Sequence, residues 1–236
     1  MTEDSATIAE APKNRRAQAK VERRLALIDA TIDSIAEYGL SGTTMARVTE
    51  RAGTSIGLAN FYFESKESLF AAVLQHLADK ERSLWQDRLA QTDHSPAALL
   101  IALIDARFDS RICDPRTLAV WFAFWGDAGA RAIYRRVVEP TDDARLMAII
   151  GLIESLDYAP GQTVRDAAKT ALGLEAFYDG LWLNLLLYPE DFRRIECRQR
   201  AVEHLVALFP THFDDLQTGE ARAVQASCAK DPNHGL

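Results

Sequence analysis

The chain has 236 residues, of which 48% are hydrophobic and 26% charged, and its formal net charge is −7. This ordinary composition excludes a mostly disordered chain and a fibrous repeat. The apolar stretches are much shorter than the ~20 residues that span a bilayer, and residues 1–12 lack the apolar core of a secretory signal. We therefore expect a cytoplasmic protein without a membrane segment.

The charged residues are distributed unevenly along the chain. Residues 1–66 contain nine basic and nine acidic side chains, whereas residues 67–236 contain 18 basic and 25 acidic ones. Residues 13–24 carry six basic side chains against a single acid. We expect residues 1–20 to form a basic flexible arm, which is either a solvated tail or, if a DNA-binding unit follows, a nucleic-acid contact.

The first predicted helix follows this arm. Apolar residues from Val21 to Ile35 are spaced four, three, four and three apart, which places them on one face of a helix. Gly39 is expected to end the helix in the left-handed conformation of a C-terminal cap.

Two shorter helices are predicted next, over 44–52 and 55–61, with Gly53 in the turn between them. Two short helices joined by a tight glycine-containing turn are typical of a helix-turn-helix DNA-binding unit. Hydroxyl groups and backbone N–H groups at a helix start bind phosphate well. The hydroxyl residues at these two helix starts are Thr43, Thr44, Thr54 and Ser55.

The third helix is expected to enter the major groove of DNA. Its candidate base-reading residues are Ser55, Ile56, Leu58 and Asn60, with Phe61 either joining them or packing within the domain. Asn60 can pair with adenine through two hydrogen bonds, and Ile56 or Leu58 can contact a thymine methyl group.

The rest of the sequence predicts further helices, with no strand-like alternation. A long fourth helix opens near Lys66 and is broken at 94–96. The later predicted spans are 96–112, 114–125, 131–158 with a break or kink at Pro140, 163–188 and 190–209. These spans suggest a DNA-binding domain over 21–66, a helical domain over 67–215 and a flexible tail over 216–236.

A long ordered pattern runs from Gly39 to Leu69 and includes Thr-Thr at 43–44 and Tyr-Phe-Glu-Ser-Lys at 62–66. In this pattern residues 23–70 resemble the DNA-binding domain of the TetR family of bacterial regulators. The resemblance implies that Thr44, Tyr62 and Lys66 grip the DNA backbone. It also implies an all-α fold, with an N-terminal three-helix DNA-binding domain and a C-terminal ligand-binding and dimerisation domain.

Aromatic motifs mark the C-terminal part. Trp-Phe-Ala-Phe-Trp at 121–125, Tyr-Arg-Arg at 134–136 and Asp-Gly-Leu-Trp-Leu at 179–183 resemble the ligand-binding domain of BetI-type repressors, which respond to choline. Aromatic faces can bind a quaternary ammonium group, and Asp127 or Asp179 could add charge complementarity. The same aromatics could instead form core. The candidate ligand-binding residues are Trp121, Phe124, Trp125, Tyr178 and Trp182.

These patterns together suggest a dimeric repressor that a small-molecule effector releases from double-stranded operator DNA, with the last two long helices forming the dimer. Two effector classes are predicted as alternatives. One is a choline-type compound, which would imply control of choline and glycine betaine metabolism, and the other is a hydrophobic drug-like or lipid-like compound. A helical ligand-binding protein or enzyme without a DNA role is a further alternative. No catalytic, cofactor or metal-binding motif is present, and the three cysteines lie far apart. We therefore expect no enzyme activity, cofactor or metal.

Overall fold

The computed structural model describes residues 11–92, 95–156 and 166–212, together with 214 and 217, and the secondary structure of this part is entirely helical. The all-α prediction is therefore confirmed. The nine α-helices of the described residues are α1 (Ala11–Gly42), α2 (Met45–Arg51), α3 (Ile56–Tyr62), α4 (Lys66–Gln91), α5 (Pro96–Arg107), α6 (Pro115–Gly126), α7 (Arg131–Glu154), α8 (Ala167–Leu187) and α9 (Arg194–Leu208), followed by a 3₁₀ turn (Pro210–His212). None of these helices is both long and apolar enough to cross a membrane.

Helix α1 begins well before its predicted start. Residues 11–20, expected to belong to a flexible arm, continue the helix in the N-terminal direction, and residues 1–10 lie outside the described residues. Val21 and Leu25 were expected on the packed face, but they are 52% and 41% exposed because this part of α1 extends past the domain. Packing begins at Leu27 and Ile28, each 1% exposed.

Gly39 does not form the predicted left-handed cap. Its φ is 68° as that cap requires, but its ψ is 178°, which is extended. Helix α1 therefore bends at Gly39 and makes one more turn to Gly42, since the Gly39 carbonyl accepts hydrogen bonds from both the backbone N–H and the hydroxyl of Thr43, at 3.2 and 2.8 Å.

Helices α2 and α3 form the second half of a three-helix domain with α1. Thr44 caps α2 and Ser55 caps α3 through their side-chain oxygens, as expected of hydroxyl residues at helix starts. Val48 and Ala59 are fully buried and anchor these short helices against the domain core. The turn between them passes through Gly53, whose φ of 61° suits a residue without a side chain.

Helix α4 belongs to both halves of the molecule. It begins at Lys66 beside the small domain, with a capping box formed by Ser65 and Ser68, and packs against α1, α5 and α7. Its buried residues extend from Leu69 to Trp85. A displacement of α4 would therefore change packing contacts in both domains.

The larger domain contains α4 to α9, and several of its element boundaries differ from the predictions. Helix α5 ends at Arg107 rather than near 112, because the carbonyl of Asp109 closes a turn with the backbone N–H groups of Ile112 and Cys113. Helix α7 continues through Pro140. Helix α9 starts at Arg194 instead of 190. The predictions for 158–165 and for most of the tail over 216–236 lie outside the described residues.

Two exposed glycines allow a test of the turn between α2 and α3. Gly53→Ala should lower the free energy of unfolding by about 1–2 kcal/mol, because an alanine at positive φ is strained even though its Cβ would meet no neighbour. Gly151→Ala, in the last turn of α7 and equally free of neighbours, should raise it by about 0.5–1 kcal/mol. Urea unfolding at a fixed protein concentration measures both, and equal shifts of one sign would contradict the assigned strain.

Candidate functional site

The exposed face of α3 is compact and largely apolar. Ile56, Gly57, Asn60 and Phe61 are exposed and, at helical spacing, lie side by side. Ile56 is 49% and Phe61 is 69% exposed, values that are unusual for large apolar side chains. Leu58 is half-buried and contributes less to this face. The predicted packing role of Phe61 is therefore wrong.

The predicted phosphate-binding residues fall into two groups. Thr44 and Ser55 are exposed at the starts of their helices. The hydroxyl oxygen of Thr44 accepts a hydrogen bond from the backbone N–H of Arg47 at 3.3 Å, and that of Ser55 accepts one from the backbone N–H of Leu58 at 3.2 Å. Thr43 differs, since it is 1% exposed and both of its donors bond to Gly39. The structure therefore removes Thr43 from the predicted DNA contacts and makes it part of the turn.

The other predicted DNA contacts lie beside the same face. Thr54 and Tyr62 are half-buried, and the backbone N–H of Thr54 donates to Thr49 at 2.9 Å. The ammonium group of Lys66 donates to the carbonyl of Leu40 at 2.9 Å, so Lys66 also joins α4 to the end of α1. An ammonium group carries three donors, so further partners remain possible.

A cavity of about 210 Å³ lies in the larger domain. Helices α4 to α8 all contribute to it, and 13 residues line it: Glu81, Arg107, Trp121, Trp125, Tyr134, Asp142, Asp143, Arg145, Leu146, Leu172, Glu175, Asp179 and Trp182. Three of the predicted ligand-binding residues, Trp121, Trp125 and Trp182, therefore line this cavity. Asp179, which was suggested as a nearby acid, lines it as well.

Two predicted ligand-binding residues belong to the core instead. Phe124 is fully buried, and its ring packs edge-on against Phe70 with ring centres 5.7 Å apart. Tyr178 is 5% exposed and packs edge-on against Phe108 at 6.3 Å. Neither lines the cavity, because each points from its helix toward a neighbouring helix. Their burial and ring contacts are those of core residues.

The aromatic side of the cavity includes a residue that the sequence had not placed there. Tyr134 on α7 meets the rings of Trp121 and Trp125 edge-on, with ring centres 6.1 Å apart in both cases. Its hydroxyl donates to Asp142 at 3.1 Å. The signal was the Tyr-Arg-Arg motif at 134–136, which carried part of the resemblance but had not been connected to the cavity.

Buried charges also line the cavity, and Glu81 on α4 is at their centre. Its Oε1 accepts two hydrogen bonds, from Arg107 on α5 at 2.9 Å and from Arg145 on α7 at 2.7 Å. All three side chains are less than 10% exposed. A single buried carboxylate therefore joins three helices.

The two arginines extend this arrangement to α8. Arg145 also donates to Glu175 at 2.6 and 3.0 Å and to Asp142 at 3.1 Å. Arg107 pairs with Asp179 and stacks over the Trp182 ring at 3.8 Å, and the Trp182 indole N–H donates to the Arg107 carbonyl at 3.2 Å. We call these six charged residues the arginine–carboxylate network: Glu81, Arg107, Asp142, Arg145, Glu175 and Asp179.

The cavity lining contains five carboxyl groups and two guanidinium groups. Burial raises the pKa of Asp142 and of Asp179, because removing a carboxylate from water disfavours its charged form. Burial acts on Glu175 in the same direction, but Arg145 and Arg107 outweigh it and lower its pKa. The lining thus has more acidic than basic groups, and an added cation would offset this excess.

Comparison with known proteins gives the same two-part division. The model of the "Bacterial regulatory proteins, tetR family" matches residues 27–73, and that of the "BetI-type transcriptional repressor, C-terminal" matches residues 96–210. The HTH-type transcriptional regulator BetI of Burkholderia thailandensis is 36% identical over 165 residues, which cover 68% of this chain and 80% of that protein. The chain belongs to the TetR family.

Solved structures agree with this assignment. A Pseudomonas aeruginosa PAO1 protein described as a transcriptional regulator has a TM-score of 0.70 at 26% identity, covering 83% of this chain and 94% of that one. A protein of Saccharomonospora viridis, described as a transcriptional regulator and solved in complex with choline, has a TM-score of 0.66 at 18% identity and covers 79% and 96%. At 18% identity, the comparison with the S. viridis protein shows a shared fold.

As a TetR-family member with BetI-type homologues, the chain is a DNA-binding transcriptional regulator and not an enzyme. Regulators of this family bind operator DNA and small-molecule effectors. The helix-turn-helix prediction and the two-part resemblance are therefore confirmed. The cavity and the exposed face of α3 are the candidate sites for such partners among the described residues.

Besides α4, a second connection joins the DNA-binding domain of this TetR-family chain to the cavity. Arg116, in the first turn of α6, pairs with Asp29 at 2.6 Å and with Asp33, both on α1. Asp33 also lies 3.8 Å from Arg51 of α2. Because Trp121 of α6 also lines the cavity, the same helix contacts both the DNA-binding domain and the cavity.

Glu81 allows a direct test of the arginine–carboxylate network. Glu81→Gln should lower the free energy of unfolding by about 3–5 kcal/mol, because it leaves two buried arginines without a shared anion. Asp79→Asn, on an exposed part of the same helix, should change it by less than about 1 kcal/mol. Denaturant unfolding followed by circular dichroism measures both. Similar small effects from the two variants would mean that the network does not hold the helices together.

Proposed function

We propose that this chain is a dimeric repressor that leaves its operator when a small quaternary ammonium compound such as choline binds in the cavity. The observation that carries the proposal is that aromatic rings and an excess of carboxyl groups line the same cavity. A quaternary ammonium group has no N–H to donate, so a protein binds it through ring faces and through charge. Both kinds of group meet at this cavity.

The aromatic residues of the cavity lining would supply most of the specificity for a quaternary ammonium group. Trp121, Trp125, Tyr134 and Trp182 come from three helices, so a cation between them would contact several ring systems. Each ring contributes roughly 0.5–2 kcal/mol, more when water is excluded. The acidic excess adds attraction that a neutral molecule of the same shape would not receive.

The competing effector class, a hydrophobic drug-like or lipid-like molecule, fits this cavity poorly. Its volume of about 210 Å³ is below the roughly 300–1,000 Å³ that is usual for drug-sized ligands. An apolar ligand would also have to cover buried carboxyl groups without compensating their charge, which is costly.

The operator would meet α3. Its exposed face carries Asn60 for hydrogen bonds to adenine and Ile56 for contact with a thymine methyl group. The surrounding Thr44, Ser55 and Lys66, along with Thr54 and Tyr62, would contact phosphates. In a dimer two such units would fit half-sites about 34–36 Å apart.

The route from cavity to DNA would pass along α4. Lys66 at its start touches the DNA-binding domain, and Glu81, fifteen residues later, is the centre of the arginine–carboxylate network. A cation beside this network changes the balance of its charges, so it favours a different position of α4. Ordinary coupling energies of about 1–3 kcal/mol would weaken operator binding roughly 5- to 150-fold.

The dimer would form through α8 and α9. On α8, Leu172, Ala176, Leu183 and Leu187 are exposed along one side, and Gly173 and Gly180 lie between them. On α9, Ile195 is 71% exposed. Among the described residues, a Cβ added to either glycine would meet no neighbouring atom within 4 Å, so packing within this part of the subunit does not require these glycines. Close approach of a second copy does explain them.

The effector proposal is tested by measuring the affinity for the DNA upstream of its own gene, with choline and with 3,3-dimethylbutan-1-ol. The second compound keeps the shape of choline but replaces the charged nitrogen by carbon. Choline should weaken operator binding by a factor within the 5- to 150-fold range, and the neutral analogue should have almost no effect. Equal effects of the two compounds would refute charge recognition.

Two substitutions on α6 localise this response. Trp125→Leu should weaken choline binding about five- to thirtyfold and keep effector-free operator binding. Phe122→Leu is the matched control, since Phe122 is also partly buried and packs on Trp125 at 4.8 Å without lining the cavity. Loss of choline affinity in the Phe122→Leu control alone would place the effector elsewhere.

The affinity for choline should also fall with decreasing pH. The fall should begin at a higher pH than for ordinary carboxyl groups, because burial raises the pKa of Asp142 and Asp179.

The dimer is tested with Gly180→Leu. Leucine is a better helix former than glycine, by somewhat less than the ~1 kcal/mol that separates alanine from glycine, so the subunit should keep its fold while the side chain blocks the second copy. Analytical ultracentrifugation should then show monomers at concentrations at which the unaltered protein is dimeric. Gly151→Leu, on α7 with the same open surroundings, should remain dimeric. An unchanged dimer in both variants would exclude this side of α8 as the interface.

A further inference from the structure

The N-terminal part of α1 is an unpacked helix. Among the described side chains of residues 15–26 only Ala19 is half-buried, and all the others are exposed. Isolated helices of this length are marginally stable in water, and most helices gain stability by packing one face. Here Val21 and Leu25 continue the apolar face of α1 past the domain without covering anything. The arrangement suggests that a partner covers this segment.

The segment lies next to the reading face of α3. The ammonium group of Lys20 is 5.6 Å from the centre of the Phe61 ring, and Phe61 is part of that exposed face. Arg24 stacks over Phe63, just after the end of α3, at 5.4 Å. These two contacts fix α1 against α3, so whatever binds the face of α3 also comes close to the start of α1.

The charge of the segment defines the partner. Residues 15–26 include Arg15, Lys20, Arg23 and Arg24, all exposed, and a single acid, Glu22, which accepts a hydrogen bond from Gln18 at 3.3 Å. The larger domain, in contrast, is acidic. Exposed basic residues that continue a DNA-reading face match the phosphates of the same duplex, which carry one negative charge about every 1.7 Å.

We propose that residues 15–26 of α1 form a second DNA contact, which binds phosphates that flank the base pairs read by α3. This inference rests on the DNA-binding role of α3 proposed above. The eight steps from Arg15 to Arg23 span about 12 Å at 1.5 Å per residue, which corresponds to three or four base pairs. The segment thus lengthens the operator that one subunit occupies, without adding base specificity.

A combined variation of protein and DNA tests the proposal. The protein variant carries Arg15→Gln, Lys20→Gln and Arg23→Gln, and leaves Arg24 on Phe63. Operator binding is measured across a salt series with a duplex that has long flanks and with one trimmed by about four base pairs on each side. The matched control carries Lys80→Gln, Arg131→Gln and Lys169→Gln, which removes the same charge from exposed positions of the larger domain.

The unaltered protein and the control variant should bind the long duplex at least tenfold more tightly than the trimmed one. The α1 variant should bind both duplexes alike, and its salt slope on the long duplex should be shallower by about 2 to 3 for each bound subunit, or about 5 for a dimer. Equal loss of affinity on both duplexes, or an unaltered protein that is indifferent to trimming, would overturn the flanking contact. Failure of the unaltered protein to bind either duplex at low salt would instead refute the role of α3.

Discussion

The larger domain depends on the buried carboxylate of Glu81 and on the two arginines that share it. Burying charges is expensive, and it is tolerated only where every charge has well-placed partners. Here the partners come from α4, α5, α7 and α8, so the requirement for compensation fixes four helices relative to one another. The apolar core alone would allow small sliding motions among these helices, whereas directional hydrogen bonds oppose them. The same network gives the cavity its acidic side, and it links the packing of the domain to the proposed recognition of a cation.

A common physical pattern explains which elements could be predicted from the sequence. The helix-turn-helix unit could be predicted almost residue by residue, because capping hydroxyls and turn glycines act locally. Thr44 and Ser55 indeed cap the helices that they precede. The start of α1 could not be predicted in this way, since charge composition alone does not distinguish a basic helix from a basic arm. The end of α5 likewise depended on a turn closed by Asp109, which periodicity does not reveal.

The cavity was predictable only in part. Trp121, Trp125 and Trp182 stood out through spacing and motif, yet the same spacing also selected Phe124 and Tyr178, which are core residues. Helical periodicity tells which residues share a side of one helix, but not which neighbouring helix that side faces. The charged residues were missed for a related reason. Glu81, Arg107 and Arg145 are separated by 26 to 64 positions in sequence, and only the tertiary fold brings them together.

The lining of the cavity also separates two tasks. Glu81, Arg107 and Arg145 hold helices in place, and changes there endanger the fold. Asp143 and Leu146 face the same space without taking part in the arginine–carboxylate network. Substitutions at these two positions can therefore reshape the cavity at less structural cost. Such a division lets related regulators diverge in what they sense during evolution, and it marks the positions at which a biosensor for a different small molecule can be engineered.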